Sequence, residues 1–189
     1  MTGEIGENIK KMREMKKLSI EDLSEKSGVN KNQIKTIEEG GLIPSLTPLM
    51  KIAHALGVRL GTFMDDNLED KPCHVKNGQT NKVIRFSGKT DNVDNSNLDF
   101  HPLGATKIDR NMEPFLIEFK PNNDEHPLND HEGEEFIYVL EGELELTYGK
   151  ETYQLNKGDS IYYDSIVPHD LHNNGDKKAK ILAVVYAPL

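Results

Sequence analysis

The sequence predicts an α + β chain built of two parts, a helical head followed by an antiparallel β barrel. Apolar residues recur at helical spacing in the first third of the chain, and short β-rich runs fill the last hundred residues. A polar stretch separates the two patterns. We therefore expect a head at 1–66, a linker at 67–82 and a barrel at 83–189. A chain of 189 residues is long enough for two small domains.

The composition is that of a soluble protein, with 35% hydrophobic and 29% charged residues. No apolar run approaches the roughly 18 residues that a membrane-spanning helix needs. The first residues lack the apolar core of a secretory signal. Cys73 is the single cysteine, so no disulfide forms within the chain. These features together favour the reducing cytoplasm.

Charge is distributed unevenly between the two parts. Residues 1–66 hold 10 basic and 10 acidic side chains, whereas the remainder holds 13 basic and 22 acidic ones. The barrel therefore carries the whole net charge of −9. An acidic barrel is a poor partner for nucleic acid, so any DNA contact is expected from a local basic face of the head.

The first three helices of the head are predicted from apolar spacing and capping residues. Residues 4–16 have the pattern of an amphipathic helix. Ser19, with an acid three residues later, begins the second helix, and Gly28 ends it in a tight turn. Asn30 then caps a third helix that runs to Glu38.

Two further helices complete the head. Thr47 and Pro48 are expected to begin the fourth helix as its cap and first residue, and Gly57 to end it. A short fifth helix follows at residues 60–64. Two helices joined by a short glycine turn within such a bundle present one helix to the major groove of DNA.

The stretches LSEKSGVNKNQIKTIEEG and PSLTPLMKIAHALGV resemble the phage-repressor-like (Xre) helix-turn-helix family. The resemblance implies a five-helix, lambda-repressor-like fold whose third helix reads double-stranded DNA. Ile34 and Ile37 are expected to pack inward. The polar side chains left on the outer face, which could meet bases or phosphates, are Lys31, Asn32, Gln33, Lys35 and Thr36. Any solvated helix can also carry such residues.

Two positions depart from the family pattern. Glu21 stands where related heads often carry a phosphate-contacting Gln, and Glu39, next to Glu38, replaces a basic or neutral residue. Acids near phosphates are repelled. A basic cluster in and after the first helix could offset this effect, and its members are Lys10, Lys11, Arg13, Lys16 and Lys17.

The pattern changes period in the second part of the chain. Short β-rich runs separated by turns occupy residues 115–119, 135–140, 143–149, 153–155, 160–163 and 180–186. Many short strands at regular spacing predict a double-sheet jelly roll.

Two motifs in this part resemble the cupin family (cupin_2). Residues 129–135, followed by Gly142, match its first motif, and Gly158-Asp159, Pro168-His169 and Asn173 match its second. The resemblance implies a double-stranded β-helix barrel and covers most of residues 112–186.

The cupin resemblance also implies metal ligands at His131, Glu135 and His169. Asn129 stands where the motif usually has a further histidine. Two imidazoles and one carboxylate with open positions can hold Fe, Mn, Ni or Zn. His172 is a minor candidate for an additional ligand. The alternative is a barrel without metal that encloses a small organic molecule.

Other polar side chains are candidates for a ligand pocket in the barrel. Asn129 is one of them, and the others are Arg110, Glu113, Tyr138, Tyr162 and Tyr163. Arg110 could clamp a carboxylate or phosphate, although a surface salt bridge is the more ordinary role. Tyrosines at such positions more often pack with the hydroxyl at the rim.

Three functions fit these features. The leading one is a homodimeric, DNA-binding transcriptional regulator whose barrel binds a small-molecule effector, a metal ion or both. The second is an enzyme, because the layout and ligand set also resemble hydroxypropylphosphonic acid epoxidase, a mononuclear non-haem iron enzyme whose head is not used on DNA. The third is a scaffold whose head contacts other proteins. The layout is mostly that of regulators, which favours the first.

Overall fold

The fold is that of a computed structural model, and the structure describes residues 2–41, 45–64, 72–76, 84–86, 98–107, 110–122 and 127–188. Within these ranges five helices precede nine strands. This order confirms the α + β class. Of the linker expected at 67–82, only residues 72–76 lie among the described residues.

The head consists of α1 Thr2–Met15, α2 Ile20–Ser27, α3 Lys31–Glu38, α4 Leu46–Leu56 and α5 Gly61–Met64. Its interior is closely packed, because one apolar stripe from each helix points to a common core. The side chains buried there include Ile5, Ile9, Leu23, Ile34, Ile37, Leu49, Ile52, Leu56 and Phe63. None of the helices in the described part of the chain is long and apolar enough to cross a membrane.

The predicted start and end of α2 are confirmed. The hydroxyl of Ser19 accepts a hydrogen bond from the backbone N–H of Asp22, and the Asp22 carboxylate accepts one from the N–H of Ser19. Gly28 ends the helix with φ 69°, in the left-handed region that glycine tolerates. Asn30 then caps α3 by accepting from the N–H of Asn32 at 2.9 Å.

The predicted start of α4 is wrong by two residues. The helix begins at Leu46, and its N-cap is Ser45 in an extended conformation rather than Thr47. Pro48 is therefore the third helical residue and not the first. This position tolerates proline because the first N–H groups of a helix have no acceptor within it.

The barrel is formed by β1 Ile84–Phe86, β2 Leu98–Pro102, β3 Met112–Phe119, β4 Glu134–Glu141, β5 Glu143–Tyr148, β6 Glu151–Asn156, β7 Ser160–Asp164, β8 His169–His172 and β9 Ala179–Tyr186. A six-stranded sheet has the order β1-β2-β3-β9-β4-β7, and a three-stranded sheet has the order β6-β5-β8. All the pairings are antiparallel. Two such sheets around one core form the predicted jelly roll.

Burial alternates along the strands, so each sheet has an inner and an outer face. In β4, Ile137 and Val139 are buried while Tyr138 and Leu140 are exposed. The outer face of the six-stranded sheet is unusually apolar. We name this outer sheet face by its exposed side chains Met112, Tyr138, Leu140, Tyr162 and Tyr186.

Candidate metal centre and DNA-contact helix

Three side chains from separate parts of the barrel converge inside it. His131 precedes β4, Glu135 is the second residue of β4, and His169 is the first residue of β8. One ligand atom from each lies within 4.8 Å of the other two. Both histidines are buried, with 5% and 8% of their surface exposed. The three residues that the cupin resemblance implied are thus brought together.

The histidines face a single oxygen of the carboxylate. Nε2 of His131 lies 2.8 Å from Oε1 of Glu135, and Nε2 of His169 lies 3.5 Å from the same atom. The two rings meet edge to face, with centroids 5.4 Å apart.

The contacts of the two Nδ1 atoms determine whether each Nε2 can donate or accept. Nδ1 of His131 lies 3.2 Å from the carbonyl oxygen of Glu132, and Nδ1 of His169 lies 2.9 Å from that of Val167. A carbonyl only accepts hydrogen bonds, so each Nδ1 carries a proton, and in a neutral ring Nε2 then presents a lone pair. An Nε2 that keeps a proton instead donates to Oε1 of Glu135, and a cation between the three atoms takes the place of that proton. The donor set therefore fits a metal ion, with backbone carbonyls orienting both imidazoles.

The second oxygen of Glu135 is held by the protein. The Tyr163 hydroxyl donates to Oε2 at 2.8 Å, and the Ser165 hydroxyl lies 3.4 Å from Oε1. Tyr163 was among the candidates from sequence, but Ser165 was not. Ser165 lies just past the end of β7, in the turn before β8, so strand alternation gave no signal for it.

The charges of this cluster are strongly perturbed. Burial alone would raise the pKa of Glu135, but hydrogen bonds from His131 and His169 outweigh it and lower the pKa to about 2. Burial likewise opposes the charged form of His169, yet its hydrogen bond with Glu135 raises its pKa. Burial, followed by the charge of Glu135, raises the pKa of Tyr163. Glu135 is therefore ionised at neutral pH, as a metal ligand must be.

Gly133 lies between the first two residues of the cluster, His131 and Glu135, at a position that only glycine suits. Its φ is +114°, and a Cβ atom there would lie 1.9 Å from the carbonyl oxygen of Tyr186. The backbone of β9 thus passes too close for any side chain at this position. The carbonyl of Gly133 also accepts from the N–H of Ser165 at 2.9 Å, which ties the ligand segment to the turn before β8.

The other pocket candidates are not brought to the three ligands. Asn129 pairs with His169 through both backbone groups, but its side-chain amide donates to the carbonyl of Pro127. Arg110 forms an ion pair with Glu113 at 2.8 Å. Tyr138 lies on the outer sheet face with 39% of its surface exposed.

His172 does not join the ligands either. It lies three positions after His169 on β8, so the two side chains point to opposite faces of the sheet. Its Nδ1 lies 2.9 Å from Asp170 and its Nε2 lies 3.4 Å from Glu145. The expectation of an additional ligand at His172 is therefore wrong.

In the head, α3 has the two faces that the sequence predicts. Ile34 and Ile37 are fully buried. The five candidate DNA-contact residues lie on the other face, where Gln33 is partly buried and the others, Lys31, Asn32, Lys35 and Thr36, are exposed. Both lysines have exposed acidic neighbours at 3.9 Å, Glu21 for Lys31 and Glu39 for Lys35. Such pairs are weak and can give way to a phosphate.

Glu38 and Arg13 have a different role from the one the sequence suggested. Nε and Nη2 of Arg13 each donate to one carboxylate oxygen of Glu38 at 2.7 Å, and both residues are buried. Glu38 is thus neutralised by a bidentate pair instead of facing phosphate. Arg13 is correspondingly removed from the basic cluster, and the remaining members are Lys10, Lys11, Lys16 and Lys17.

Comparison with known proteins agrees with this architecture. Residues 9–63 match the Helix-turn-helix family HTH_3, and residues 115–185 match the Cupin domain family Cupin_2. The chain is a helix-turn-helix–cupin protein. Both resemblances found in the sequence are confirmed.

Relatives of this helix-turn-helix–cupin protein include regulators. It is 26% identical to the HTH-type transcriptional regulator PuuR of Escherichia coli over 94% of this chain and 92% of that protein. An HTH_3 family transcriptional regulator from Vibrio cholerae superposes with a TM-score of 0.71 at 24% identity, covering 100% and 97% of the two chains. The latter likeness is one of fold.

An enzyme is also similar. The helix-turn-helix–cupin protein is 32% identical to (S)-2-hydroxypropylphosphonic acid epoxidase of Streptomyces wedmorensis, over 77% of this chain and 76% of the enzyme. The Fe(II) form of that enzyme, HppE, with its substrate superposes with a TM-score of 0.51 at 27% identity, covering 98% and 99% of the two chains.

Proposed function

We propose that this protein is a cytoplasmic, DNA-binding transcriptional regulator whose barrel binds a divalent metal ion and a small-molecule effector. The observation that carries the proposal is the exposed polar face of α3, whose opposite face packs Ile34 and Ile37 into the core of the head. The regulators among its relatives have the same two-part layout.

The proposed DNA contacts follow from the chemistry of α3. Asn32 and Gln33 can each pair with the edge of an adenine, whereas Lys31 and Lys35 can reach guanine or phosphate. Thr36, whose hydroxyl donates to the carbonyl of Asn32 at 2.9 Å, presents a methyl group that suits thymine. The head has little excess positive charge, so specific contacts must contribute much of the affinity.

DNA binding is tested with the segment upstream of the protein's own gene. We expect sequence-preferring binding in a gel shift at low salt, with metal present or absent. Asn32→Ala should weaken it, and the matched change Glu25→Ala on the exposed face of α2 should not. Binding that is equal for unrelated DNA would reject the proposal.

The proposed metal is held by His131, Glu135 and His169. Two imidazoles and a carboxylate suit Fe, Mn, Ni or Zn, and positions left open would admit water or the effector. Metal analysis of protein purified without chelator or affinity tag tests this. We expect about one equivalent per chain in the native protein and its loss in Glu135→Gln; equal metal content in both would place the ion elsewhere.

We also propose that two copies pair through the outer sheet face. Met112 and Tyr162 are 61% and 63% exposed there, and large apolar patches on a surface mark interaction sites. A dimer places two recognition helices about one DNA turn apart. Light scattering tests this: Tyr138→Glu should give a monomer, whereas Tyr153→Glu on the three-stranded sheet should leave a dimer. A monomeric native protein would reject the pairing.

A second candidate is a mononuclear iron enzyme, favoured by the 32% identity to the epoxidase and by the three-ligand cluster. A bound iron would supply Lewis-acid and redox chemistry beside the substrate. Consumption of oxygen or peroxide by the Fe(II)-loaded protein with small phosphonates or hydroxy acids tests it, and Glu135→Ala should abolish the turnover. Without consumption above a no-protein control, the enzyme is excluded for these substrates.

A further inference from the structure

The residues on either side of His131 contact the head. Nζ of Lys51 lies 3.2 Å from Oδ1 of Asp130, and Nδ1 of His54 lies 3.4 Å from Oε2 of Glu132. Lys51 and His54 both belong to α4. This helix packs against α2 in the helix-turn-helix.

Three consecutive residues thus contact two different parts of the molecule, the interior of the barrel and the helix α4. The imidazole of His131 points to Glu135 inside the barrel, whereas its two neighbours extend to α4. The backbone around them is anchored, because His131 N–H donates to the carbonyl of Ser165 at 3.0 Å and Asn129 pairs with His169. The side chains of Asp130 and Glu132 therefore extend from the same anchored main chain as the imidazole of His131.

The contact between head and barrel is loosely packed. A cavity of about 330 Å³ lies between them, and its walls include Met50 and Lys51 from the head and His131 and Ile166 from the barrel. Its ion pairs are partly exposed, with 35% of the Lys51 side chain and 49% of the Asp130 side chain accessible. Such pairs contribute little stability. A weakly held arrangement is one that a modest difference in ligand affinity can shift.

We propose that metal binding by His131, Glu135 and His169 is coupled to docking of α4 on the segment Asp130–Glu132. The metal favours the docked head, and the docked head binds metal more tightly, since coupling between two sites is reciprocal. The inference rests on the metal site of the proposed function. It names the contacts through which metal binding in the barrel would change the position of the head and of its proposed DNA-contact helix α3.

The coupling is tested by the affinity of the full chain for Zn(II). Competition with a chromophoric chelator measures this affinity. Lys51→Met should weaken Zn(II) binding about threefold to fivefold, the range expected for loss of a partly exposed ion pair. The control Lys26→Met removes the same charge from another wall of the cavity. Loss of a nearby positive charge by itself strengthens the binding of a cation. A weaker Zn(II) affinity in Lys51→Met is therefore explained by loss of the docked head and not by the change of charge.

The position of the head provides a second measurement. Spin labels at residues 25 and 174, both exposed, report the distance from head to barrel in a Cys73→Ser background. Zn(II) should narrow the distance distribution of the native sequence and leave that of Lys51→Met broad. Equal affinities for Lys51→Met and Lys26→Met, or a distribution indifferent to Zn(II), would overturn the coupling alone. A native chain that binds no Zn(II) would remove the metal site as well.

Discussion

The hydroxyl of Tyr163 donates to Oε2 of Glu135 at 2.8 Å, on the side of the carboxylate opposite the oxygen that faces the two histidines. One oxygen is thereby held in place while the other is left for a cation. We predict that Tyr163→Phe weakens metal binding about tenfold, because a hydrogen bond to a charged group contributes about 1.5 kcal/mol. Titration calorimetry measures the affinity.

Tyr162→Phe is the matched control for that change. Tyr162 is the neighbouring residue on β7, but its hydroxyl donates to Glu134 on the outer sheet face. It should bind metal as the native protein does. Similar affinities for the two variants would mean that Tyr163 contributes packing and not orientation of the carboxylate.

The buried pair of Arg13 and Glu38 gives a prediction about the stability of the head. Glu38→Ala leaves a guanidinium buried without its carboxylate, which costs about 3 kcal/mol. We expect a correspondingly lower midpoint in urea-induced unfolding. The exposed neighbour Glu39 is the control, and Glu39→Ala should change the unfolding free energy by less than about 0.5 kcal/mol. A small effect at Glu38 would contradict the observed bidentate contact.

Acid should weaken the start of α2. The Ser19 hydroxyl, together with its backbone N–H, lowers the pKa of Asp22. A carboxyl whose folded pKa is depressed adds stability above its unfolded pKa of about 3.9, and this is lost as pH falls through the folded value. Asp22→Asn should therefore be less stable than the native chain near neutrality, and the gap should close in acid.

Urea midpoints recorded from about pH 6 to about pH 3 test this, with Glu25→Gln on the same helix as control. The control should follow the native curve throughout. A gap between Asp22→Asn and the native chain that persists unchanged in acid would contradict the role of the carboxylate at this cap.

Two residues of α3 should differ in how they affect DNA binding. Lys35→Ala is expected to weaken binding to all sequences and to lower the salt dependence of log K by about 1. Gln33→Ala should cost about 1–3 kcal/mol at the preferred site only and relax the base preference there. Anisotropy titrations at several salt concentrations separate the two effects; identical salt slopes for both variants would contradict them.

Much of this fold follows from local patterns. Ser19, Gly28 and Asn30 mark helix ends because capping depends on residues close in sequence. The start of α4 was less predictable, since Ser45 and Thr47 are both acceptable caps and Ser45 makes no side-chain capping hydrogen bond.

Three of the nine described strands, β1, β2 and β8, were not predicted, and β8 and β2 show the physical reason. In β8, His169 faces the buried ligands while Asp170 and His172 form polar contacts on the other face. Leu171 is the one apolar residue of the strand, so no hydrophobic alternation marks it. β2 likewise alternates Phe100 with His101, and the chain before it carries few apolar residues.

Long-range contacts set the rest of the site. Nothing near Glu38 in sequence indicates that Arg13, 25 residues away, neutralises it. The partner of Tyr163 is Glu135, which lies 28 residues earlier and is brought close only by the pairing of β4 with β7.

The direct pairing of Asn129 with His169 places position 129 where one substitution could add a fourth metal-binding side chain to the barrel. Residues opposite each other in an antiparallel pair present their side chains to the same face. A side chain at position 129 therefore lies beside that of His169. A histidine there would need no shift of the main chain to approach the proposed metal site. In the proposed metal centre, exchange of this one side chain would separate a three-ligand set, with positions left for an incoming molecule, from a four-ligand set with fewer.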